Sequence, residues 1–403
     1  MNTTTETKPL DLHRLKKAVS EDAAAFRSRT RLQPAGGEGD KVFPPTYAGA
    51  VYAREERQIN GVKVPCVLLD SVQAQANRLE EALQRALDAG TLTGVPVLNV
   101  DFTGLGLLDE VGRVSSLEAP HRIADAILRD SLHEGQPFRK SDLGKSLDQA
   151  SLQNATPLYK LCPTALIFGL WDSTGPKGGL GAKFQRALVS EIIGVNAQIG
   201  VKTSSRIDPL GMRAAAKVIK KPDGSYELAG DKAKDAVSPS EVNHGNIPPD
   251  VTKPGGAGGA TVDYAEQTIV LSLPALRKLR FPVDGKTTPE RDAAARTVLA
   301  ALALTAATLA AESGFDLRSR CLLWPTNVMK WELLETPGKV PTEFIITAND
   351  AIKLLGEAVA AAEKLGLVWQ KEPVKLTPSP NLVALLKRSQ DIATKTPADA
   401  TAE

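Results

Sequence analysis

Between Trp171 and Lys221 the sequence carries a local excess of positive charge. Nine Lys and Arg residues occur there against three Asp and Glu residues, whereas the whole chain has a formal net charge of only +2. The nine are Lys177, Lys183, Arg186, Lys202, Arg206, Arg213, Lys217, Lys220 and Lys221. Such side chains neutralise phosphates, which gives salt-dependent affinity for nucleic acid without reading its bases. The pattern predicts a phosphate-binding surface, and a solvated basic face with no ligand is the alternative.

A glycine-rich loop, Gly175 to Gly181, precedes several of these cations. Backbone N–H groups in such a loop can cradle a phosphate at the start of a helix. An ATPase is the corresponding function, but its motif requires Lys followed by Ser or Thr after the last glycine. Here Gly181 is followed by Ala182 and then Lys183. A connection whose glycines adopt positive φ explains the loop at least as well.

Polar residues also cluster between Asp70 and Glu80, at the predicted start of a helix. At helical spacing, Gln75 and Arg78 lie close to one face and Asn77 lies on a neighbouring one. Amide and guanidinium groups in these positions can approach a ribose-phosphate chain together. A helix cap followed by a solvated face explains the same residues equally well.

The four histidines are isolated in the sequence. None has the short spacing with which two ligands on one helix hold zinc, so we expect no metal site. His121 or His244 could act as a general base in RNA cleavage, although an exposed or hydrogen-bonded histidine is the alternative for both. No G-x-S-x-G, H-E-x-x-H or paired-carboxylate signature occurs, so hydrolase chemistry has no positive support.

Length and composition point to an ordinary globular protein. The chain has 403 residues, of which 42% are hydrophobic, enough to bury a sizeable core. Three widely separated cysteines, Cys66, Cys162 and Cys321, argue against a disulfide framework and favour a reducing cytoplasm. No apolar leader opens the sequence, and its most apolar stretch, Thr297 to Ala311, is too short to span a bilayer. We therefore expect a soluble cytoplasmic protein without a membrane partner.

Hydrophobic periodicity and turn residues predict helices and strands joined by long irregular connections. The predicted helices are Leu10–Arg27, Val72–Gly90, Ser116–Ser131, Thr288–Ser313 and Asn349–Leu365. The predicted strands are Val62–Leu69, Val95–Phe102, Gln267–Leu273 and Glu343–Thr347, with a hairpin at Lys217–Leu228. Residues 231–260 collect Pro and Gly and predict a thumb-like or mobile segment. The tail from Lys371 is polar and has one amphipathic stretch, Asn381–Arg388.

Seven separated strings of the sequence resemble one known protein family. They are Phe43–Gly49, Asp70–Arg78, Ala119–Arg122, Phe168–Gly175, Ser190–Gly194, Ser205–Leu210 and Leu317–Cys321. In this order they resemble the backbone subunit of type I-U (also called I-G) CRISPR Cascade, a member of the RAMP superfamily.

This resemblance implies an α+β fold, namely a modified RRM-like (ferredoxin-like) antiparallel sheet palm with large insertions that include a thumb-like segment. Residues 1–45 would form an N-terminal helix and loop, residues 46–370 the RAMP domain, and residues 371–403 the polar tail. Several copies would bind one CRISPR RNA and leave its bases free to pair with target DNA. Its partners would thus be the RNA, target DNA through the guide, further copies and other Cascade subunits, with no cofactor and no catalysis. Because some RAMP relatives process precursor RNA, a metal-independent endoribonuclease is the alternative.

The residues expected to contact RNA combine the resemblance with the charge pattern. They are Gln75, Asn77, Arg78, Lys177, Gly178, Gly179, Lys183, Arg186, Lys202, Arg206, Asn243, His244, Asn246, Arg318 and Arg320. Asn243, His244 and Asn246 are assigned to the thumb-like segment, and Arg318 and Arg320 serve equally well as packing salt bridges. Because only 4% of the residues are aromatic, we expect the RNA backbone to be gripped more than its bases to be stacked.

Overall fold

The structure, a computed structural model, describes residues 9–175, 178, 181–202, 205–221, 224–230, 233–247 and 258–395. In these ranges helices and strands are mixed, which confirms the α+β class. The α-helices are α1 (Leu12–Ser20), α2 (Val72–Asp88), α3 (Ala126–Arg129), α4 (Asp142–Asp148), α5 (Thr156–Leu161), α6 (Thr164–Phe168), α7 (Leu273–Arg277), α8 (Pro289–Glu312), α9 (Ala348–Glu363) and α10 (Pro380–Lys395).

The strands are short outside the main sheet. The first eleven are β1 (Ala25–Pro34), β2 (Thr46–Tyr47), β3 (Val51–Tyr52), β4 (Arg54–Ile59), β5 (Val62–Asp70), β6 (Leu98–Asp101), β7 (Arg113–Ser115), β8 (Ser131–His133), β9 (Gln136–Pro137), β10 (Leu170–Trp171) and β11 (Lys183–Phe184). The others are β12 (Leu188–Val195), β13 (Gln198–Ile199), β14 (Val218–Lys220), β15 (Tyr226–Leu228), β16 (Ala260–Thr261), β17 (Tyr264–Ser272), β18 (Phe315–Asp316), β19 (Leu322–Pro325), β20 (Trp331–Leu334), β21 (Thr342–Phe344) and β22 (Val374–Pro378).

Nine strands form one sheet in which every pairing is antiparallel. Seven of them follow the order β18-β19-β1-β17-β12-β5-β4, while β20 pairs with β1 and with β21. The β1–β17 pairing runs in register from Ala25 opposite Ser272 to Leu32 opposite Ala265. The predicted antiparallel sheet is confirmed.

Strand β1 separates the core from an open face of this sheet. Phe26, Ser28 and Leu32 are buried on one side, and the intervening basic and polar residues face outward. Alternation of this kind is the period of a strand and not of a helix. The predicted helix Leu10–Arg27 is therefore wrong beyond Ser20, and residues 25–34 belong to the main sheet instead of to an N-terminal helix and loop.

Helix α8 is the central helix of the core, and α1, α2 and α9 pack against it. The hydroxyl of Thr288 caps its first turn by accepting a hydrogen bond from the N–H of Arg291. The apolar stretch that seemed too short for a membrane belongs to this 24-residue helix, which is long enough to cross one. However, 89% of its most apolar window is buried inside the protein, as expected of a core helix.

Helix α2 follows strand β5 and begins as predicted. The hydroxyl of Ser71 accepts a hydrogen bond of 3.2 Å from the N–H of Ala74, which caps the helix. Leu79 and Leu83 are buried on its inner face, where α2 packs against α8 and β12. The first residues of α2 thus lie at a fixed position beside the sheet.

A second sheet has the strand order β7-β6-β22-β8-β9. Its middle strand, β22, lies in the tail and pairs parallel with β6 and antiparallel with β8. Val374 and Leu376 point inward from β22, and Leu382 and Leu386 of α10 pack against the core. The polar tail predicted from Lys371 is therefore wrong for strand β22, whereas the amphipathic stretch predicted at Asn381–Arg388 is confirmed as part of helix α10.

Residues 200–259 form an insertion between β12 and β17 whose ends meet in the two-stranded sheet β13–β16. The hairpin predicted at Lys217–Leu228 is confirmed as β14 and β15, with part of its turn outside the described residues. Of the predicted thumb-like segment, residues 233–247 and 258–260 are described, and they include a 3₁₀ turn at Pro239–Val242. Arg206 and Ile247 form a β-bridge that ties the two sides of the insertion together.

The helix predicted at Ser116–Ser131 is wrong. A 3₁₀ turn at Arg122–Ala124 and the four-residue α3 occupy part of this stretch. Arg122 has a φ of +54°, a left-handed conformation that a continuous α-helix does not admit. The side chain of Arg122 is buried at this turn.

Candidate nucleic-acid interface

A cleft of about 890 Å³ lies beside the first turns of α2, at the mouth of the β10–β11 pair. Its volume is within the about 300–1,000 Å³ that ligand sites usually have. The lining consists of Val72, Gln73, Ala76, Asn77, Pro120, His121, Arg122, Ala124, Ala126, Arg129, Phe168, Gly169, Leu170, Trp171, Ser173, Thr174, Lys183, Phe184, Gln185, Arg186 and Val189. Most of these residues come from segments far apart in the sequence, which the sheet and α2 bring together.

Charge distinguishes this cleft from the rest of the protein. Among the described residues that line it, four are Arg or Lys, namely Arg122, Arg129, Lys183 and Arg186, and none is Asp or Glu. The described part of the chain provides Arg186 with no ion-pair partner, and its side chain is exposed. A concave surface with charges of one sign concentrates the opposite charge, so the cleft favours an anionic ligand.

The strands β10 and β11 place an aromatic ring and a cation side by side. Leu170 pairs with Phe184 and points into the core, and Trp171 pairs with Lys183 and points outward. The Lys183 ammonium nitrogen lies 5.2 Å from the centre of the Trp171 ring, a cation–π distance. The two side chains form one outward-facing unit at the edge of the cleft.

Gly169 packs closely against the side chain of Arg186. Gly169 has a φ of +88°, and a Cβ there would lie 3.0 Å from Cγ of Arg186. Glycine is required for both reasons, because other residues rarely adopt this φ and would meet the arginine. The carbonyl of Gly169 accepts a hydrogen bond of 3.1 Å from Nη1 of Arg122. The backbone under Arg186 is thereby held in place.

Arg122 itself is part of a buried ion pair beneath the cleft. Its Nε and Nη2 each donate a hydrogen bond of 2.7 Å to the carboxylate of Glu80. Burial raises the pKa of Glu80 to about 7, although the Arg122 charge and hydrogen bonds from Arg122 and Thr164 oppose the rise. The Arg122–Glu80 pair holds the backbone at the floor of the cleft in place. Because Glu80 faces the guanidinium of Arg122, little of the Arg122 charge is left for a ligand.

The carboxylate nearest to Trp171 is turned away from the cleft. Asp172 follows Trp171 and is 8% exposed, and its Oδ2 accepts a hydrogen bond of 2.6 Å from Nη2 of Arg139. The same Nη2 also donates to Asp148 at 2.6 Å. Asp172 therefore shares the charge of Arg139 with Asp148 and is turned away from the outer side of β10.

This packing also explains two glycines of the glycine-rich loop. A Cβ on Gly181 would lie 1.8 Å from the carbonyl oxygen of Asp172, and one on Gly175 would lie 2.4 Å from its Oδ2. Gly178 has a φ of +53°. The described glycines of this loop are thus explained by its close packing against Asp172 and by its turn. This is the alternative to a phosphate cradle.

Three of the predicted RNA contacts meet in the cleft: Asn77, Lys183 and Arg186, all exposed. His121, one of the two candidate bases, is exposed and lines it as well. Lys177 and Gly179 lie outside the described residues, while Gly178 lies in the loop that joins β10 to β11. Of the basic residues that the charge pattern singled out, the structure places Lys183 and Arg186 in the cleft.

Three other predicted contacts, Gln75, Arg78 and Arg318, surround a fully buried carboxylate instead. Asp70 accepts hydrogen bonds from Gln75 Nε2 at 2.8 Å, Arg78 Nε at 3.0 Å and Arg318 Nη2 at 3.2 Å. Arg78 also donates to the carbonyls of Asp316 and Leu317. These side chains join β5 and α2 to the segment before β19. Gln75 is buried, whereas the side chains of Arg78 and Arg318 remain 28% and 25% exposed. For Arg318 this is the packing salt bridge that the sequence allowed as an alternative.

Gln75 is also the centre of a buried polar network. Its Oε1 accepts hydrogen bonds from Ser190 Oγ at 2.7 Å and from Gln267 Nε2 at 2.8 Å. Gln75 is 1% exposed. The amide therefore links α2 to strands β12 and β17 and has no position from which to reach a bound strand.

The remaining predicted contacts lie apart from the cleft lining. Arg320 is exposed and lies over the Phe43 ring at 4.8 Å from its centre. Lys202 is exposed at the start of the insertion, and Arg206, Asn243, His244 and Asn246 lie within it. Asn246 Oδ1 accepts from the N–H of Asp208 at 2.7 Å, and His244 Nε2 lies 3.3 Å from the Tyr226 hydroxyl. Arg206, Asn243, His244 and Asn246 therefore lie in one small folded unit, which is part of the insertion.

The sequence analysis did not predict a row of three arginines, Arg27, Arg29 and Arg31, on the open face of the main sheet. Arg27 and Arg29 each form an ion pair of 2.7 Å, with Glu332 and Glu266, and Arg31 lies 4.2 Å from the centre of the Tyr264 ring. Their spacing of two residues is visible in the sequence as an Arg at every second position of a strand. Carboxylates neutralise two of these three arginines, just as Glu80 and Asp130 neutralise Arg122 and Arg129 in the cleft. The cleft differs in its concave shape and in the exposed Lys183 and Arg186.

Trp171, Arg129 and Gln185 are cleft residues that the sequence analysis did not predict. A single tryptophan after an apolar run has no periodic signal, and only the pairing of β10 with β11 turns it outward. Among the described residues, no group of three His, Cys, Asp or Glu side chains is placed to hold a metal ion.

Comparisons with known proteins agree in part with this picture. Residues 26–199 match the sequence model of a family described as CRISPR-associated protein GSU0053, and the cleft lining lies wholly within that segment. No curated protein matches the sequence. Among solved structures, Csc2 of Thermofilum pendens is 14% identical, with 94% of this chain and 90% of that chain covered and a TM-score of 0.27. A TM-score this low carries no argument about the site.

Proposed function

We propose, from the similarity of residues 26–199 to a CRISPR-associated family, that this protein is a non-catalytic RNA-binding backbone subunit of a Cascade complex. The observation that carries the proposal is the cleft: exposed cations, an exposed tryptophan and amides line it, and no carboxylate does. Phosphates need the cations, and unpaired bases need the ring and the amides. We assign the protein to the cytoplasm and to type I-U (I-G).

The strand order supports a RAMP-type palm. In a ferredoxin-like βαββαβ unit the first strand lies between the third and the fourth. Strands β1, β12, β17 and β20 follow one another along the chain and lie side by side as β20-β1-β17-β12. Helix α2 lies between the first two along the chain, and α8 between the last two. In this interpretation β4, β5 and the insertion of residues 200–259 are additions to an RRM-like core, and the insertion is the thumb.

Several copies would bind one guide RNA in a row, together with other Cascade subunits. Contacts to phosphates position a strand without specifying its sequence, so the guide bases stay available to pair with target DNA. The net charge of only +2 suits this arrangement, because adjacent copies that were uniformly basic would repel each other.

Copurification tests the proposal. The protein is expressed together with its CRISPR RNA and purified at low salt, and we expect a discrete RNA to remain bound. The variant Lys183→Glu/Arg186→Glu is expected to lose this RNA. A matched control, Lys353→Glu/Lys364→Glu, makes the same charge change at an exposed position of α9 and at the exposed residue that follows this helix, and it is expected to keep the RNA. Wild-type protein recovered without RNA contradicts the proposed function.

An endoribonuclease is the second candidate, because exposed His121 lies in the same cleft as Lys183 and Arg186. A histidine near phosphate-binding cations is suited to general base catalysis. Incubation of the protein with repeat RNA in the absence of metal distinguishes the two functions. Cleavage that is lost in His121→Ala favours the nuclease, and binding without cleavage favours the backbone subunit.

A further inference from the structure

Trp171 differs from the other tryptophans in its surroundings. It is 57% exposed, whereas Trp331 and Trp369 are 0% and 4% exposed and belong to the core. Trp324 is 55% exposed, but it lies on the open side of β19 beside Gly314 and not in the cleft. Exposure of a single apolar side chain needs no ligand to explain it. What sets Trp171 apart is its surroundings, because Lys183 lies on its ring and exposed cations and amides line the same cleft.

We propose that Trp171 is a stacking platform for one unpaired nucleobase of the bound RNA. The inference rests on the proposed function and adds a contact to a base, where the low aromatic content had favoured backbone contacts over base stacking. Lys183 lies over one face of the ring, so the base would stack on the other face, and the Lys183 charge would neutralise a phosphate next to it. Any base can stack on an aromatic ring, because every base has a π-face.

The strand pairing fixes the platform. Leu170 and Phe184 anchor β10 and β11 in the core, so their outward neighbours Trp171 and Lys183 cannot turn inward together. The N–H of Asp172 donates to the carbonyl of Ala182 at 3.0 Å and extends this pairing. A ring held in this way loses little freedom when a base stacks on it.

The polar groups around the ring fit a base better than an uncharged apolar ligand. The amides of Gln73, Asn77 and Gln185 line the same cleft and are all exposed. Amides can both donate to and accept from the edge of a base. A ring, a cation and amides together match the base and phosphate of one nucleotide.

A comparison of normal and abasic RNA tests the platform. Affinities of the full-length wild type and of Trp171→Ala are measured for a short single-stranded oligouridylate and for an abasic strand of the same length. We expect Trp171→Ala to weaken binding of the oligouridylate about 5- to 100-fold. On the abasic strand the two proteins are expected to bind equally, because no base is present to stack. Trp171→Phe is expected to retain most of the affinity, and Trp324→Ala is the matched control, expected to bind as wild type.

Two results would overturn the inference. One is an equal loss on both strands, which would mean that Trp171 acts only by placing Lys183. The other is unchanged oligouridylate affinity in Trp171→Ala while Lys183→Glu/Arg186→Glu weakens it, which refutes the platform and leaves the proposed function standing. If the charge reversal also has no effect, the proposed function fails with it.

Discussion

Arg122 and Glu80 form a two-point ion pair inside the protein, with hydrogen bonds of 2.7 Å from Nε and from Nη2 of the arginine to the two carboxylate oxygens. The same arginine donates to the carbonyl of Gly169, against which Arg186 packs. One buried pair thus supports the backbone on which the exposed cation of the cleft depends.

Removal of this arginine is expected to destabilise the protein strongly. Arg122→Ala leaves the Glu80 carboxyl buried without its partner, and we expect a loss of about 3–5 kcal/mol in the free energy of unfolding. Arg129→Ala is the control, since its ion pair with Asp130 is largely exposed and should contribute less than about 1 kcal/mol. Urea denaturation measures both, and equal small losses would contradict a structural role for the pair.

The raised pKa of Glu80 predicts a pH dependence of stability. This pKa is about 7 in the folded protein and 4.5 for the ordinary group, so between these values the folded protein holds a proton that the unfolded chain has released. The contribution of Glu80 is therefore fully present below pH 4.5 and is lost as the pH rises through 7. The free energy of unfolding of wild type relative to Glu80→Gln should fall over this range by at most about 3 kcal/mol. A difference that increases with pH would mean that the pKa of Glu80 in the folded protein lies below its ordinary value of 4.5, with the Arg122 charge outweighing burial.

Helix α2 and strand β1 illustrate what the sequence could and could not predict. The start of α2 has its own signal, because Ser71 caps it and Leu79 and Leu83 recur on one face. Every second residue of strand β1 lies on its open face and is basic or polar, so the sequence of this segment looks polar. Only its long-range pairing with β17 identifies it as a strand. Local capping and periodicity are visible in a sequence, whereas pairing between distant strands is not.

The same limit applies to the candidate site. The basic excess after Trp171 located Lys183 and Arg186, because charge density is a local property of the sequence. Helical spacing could not show that Asp70 holds Gln75 and Arg78, since the sheet decides which side of α2 faces inward. Side chains of one type therefore pack against a buried carboxylate at one position, as Arg78 does, and stay exposed in the cleft at another, as Arg186 does.

Arg78 and Arg318 are predicted to matter for stability and not for RNA. Each donates a hydrogen bond to the fully buried Asp70, so Arg78→Ala or Arg318→Ala should cost about 1–3 kcal/mol. The folded variants should bind single-stranded RNA with the wild-type dependence on salt. A titration at several salt concentrations checks this, and a reduced slope in either variant would place that arginine at the RNA.

Gly181 is predicted to tolerate no side chain. In Gly181→Ala the new Cβ would lie 1.8 Å from the carbonyl oxygen of Asp172, so the loop must shift at a cost of about 1–3 kcal/mol. Gly356→Ala is the control of opposite sign, because this glycine lies in α9 with nothing near its Cβ position and alanine favours a helix by about 0.5–1 kcal/mol. Thermal unfolding of both variants measures the contrast, and similar shifts in Tm would argue against the close approach.

The most direct test of the account is the salt dependence of RNA affinity in the cleft variant. For a single strand the slope of log affinity against log salt is about −0.7 per phosphate neutralised, so Lys183→Glu/Arg186→Glu should lower its magnitude by about 1.4. The matched variant Lys353→Glu/Lys364→Glu has the same net charge and should keep the wild-type slope. If both variants bind single-stranded RNA with the same affinity and the same slope, the cleft is not where this protein holds RNA.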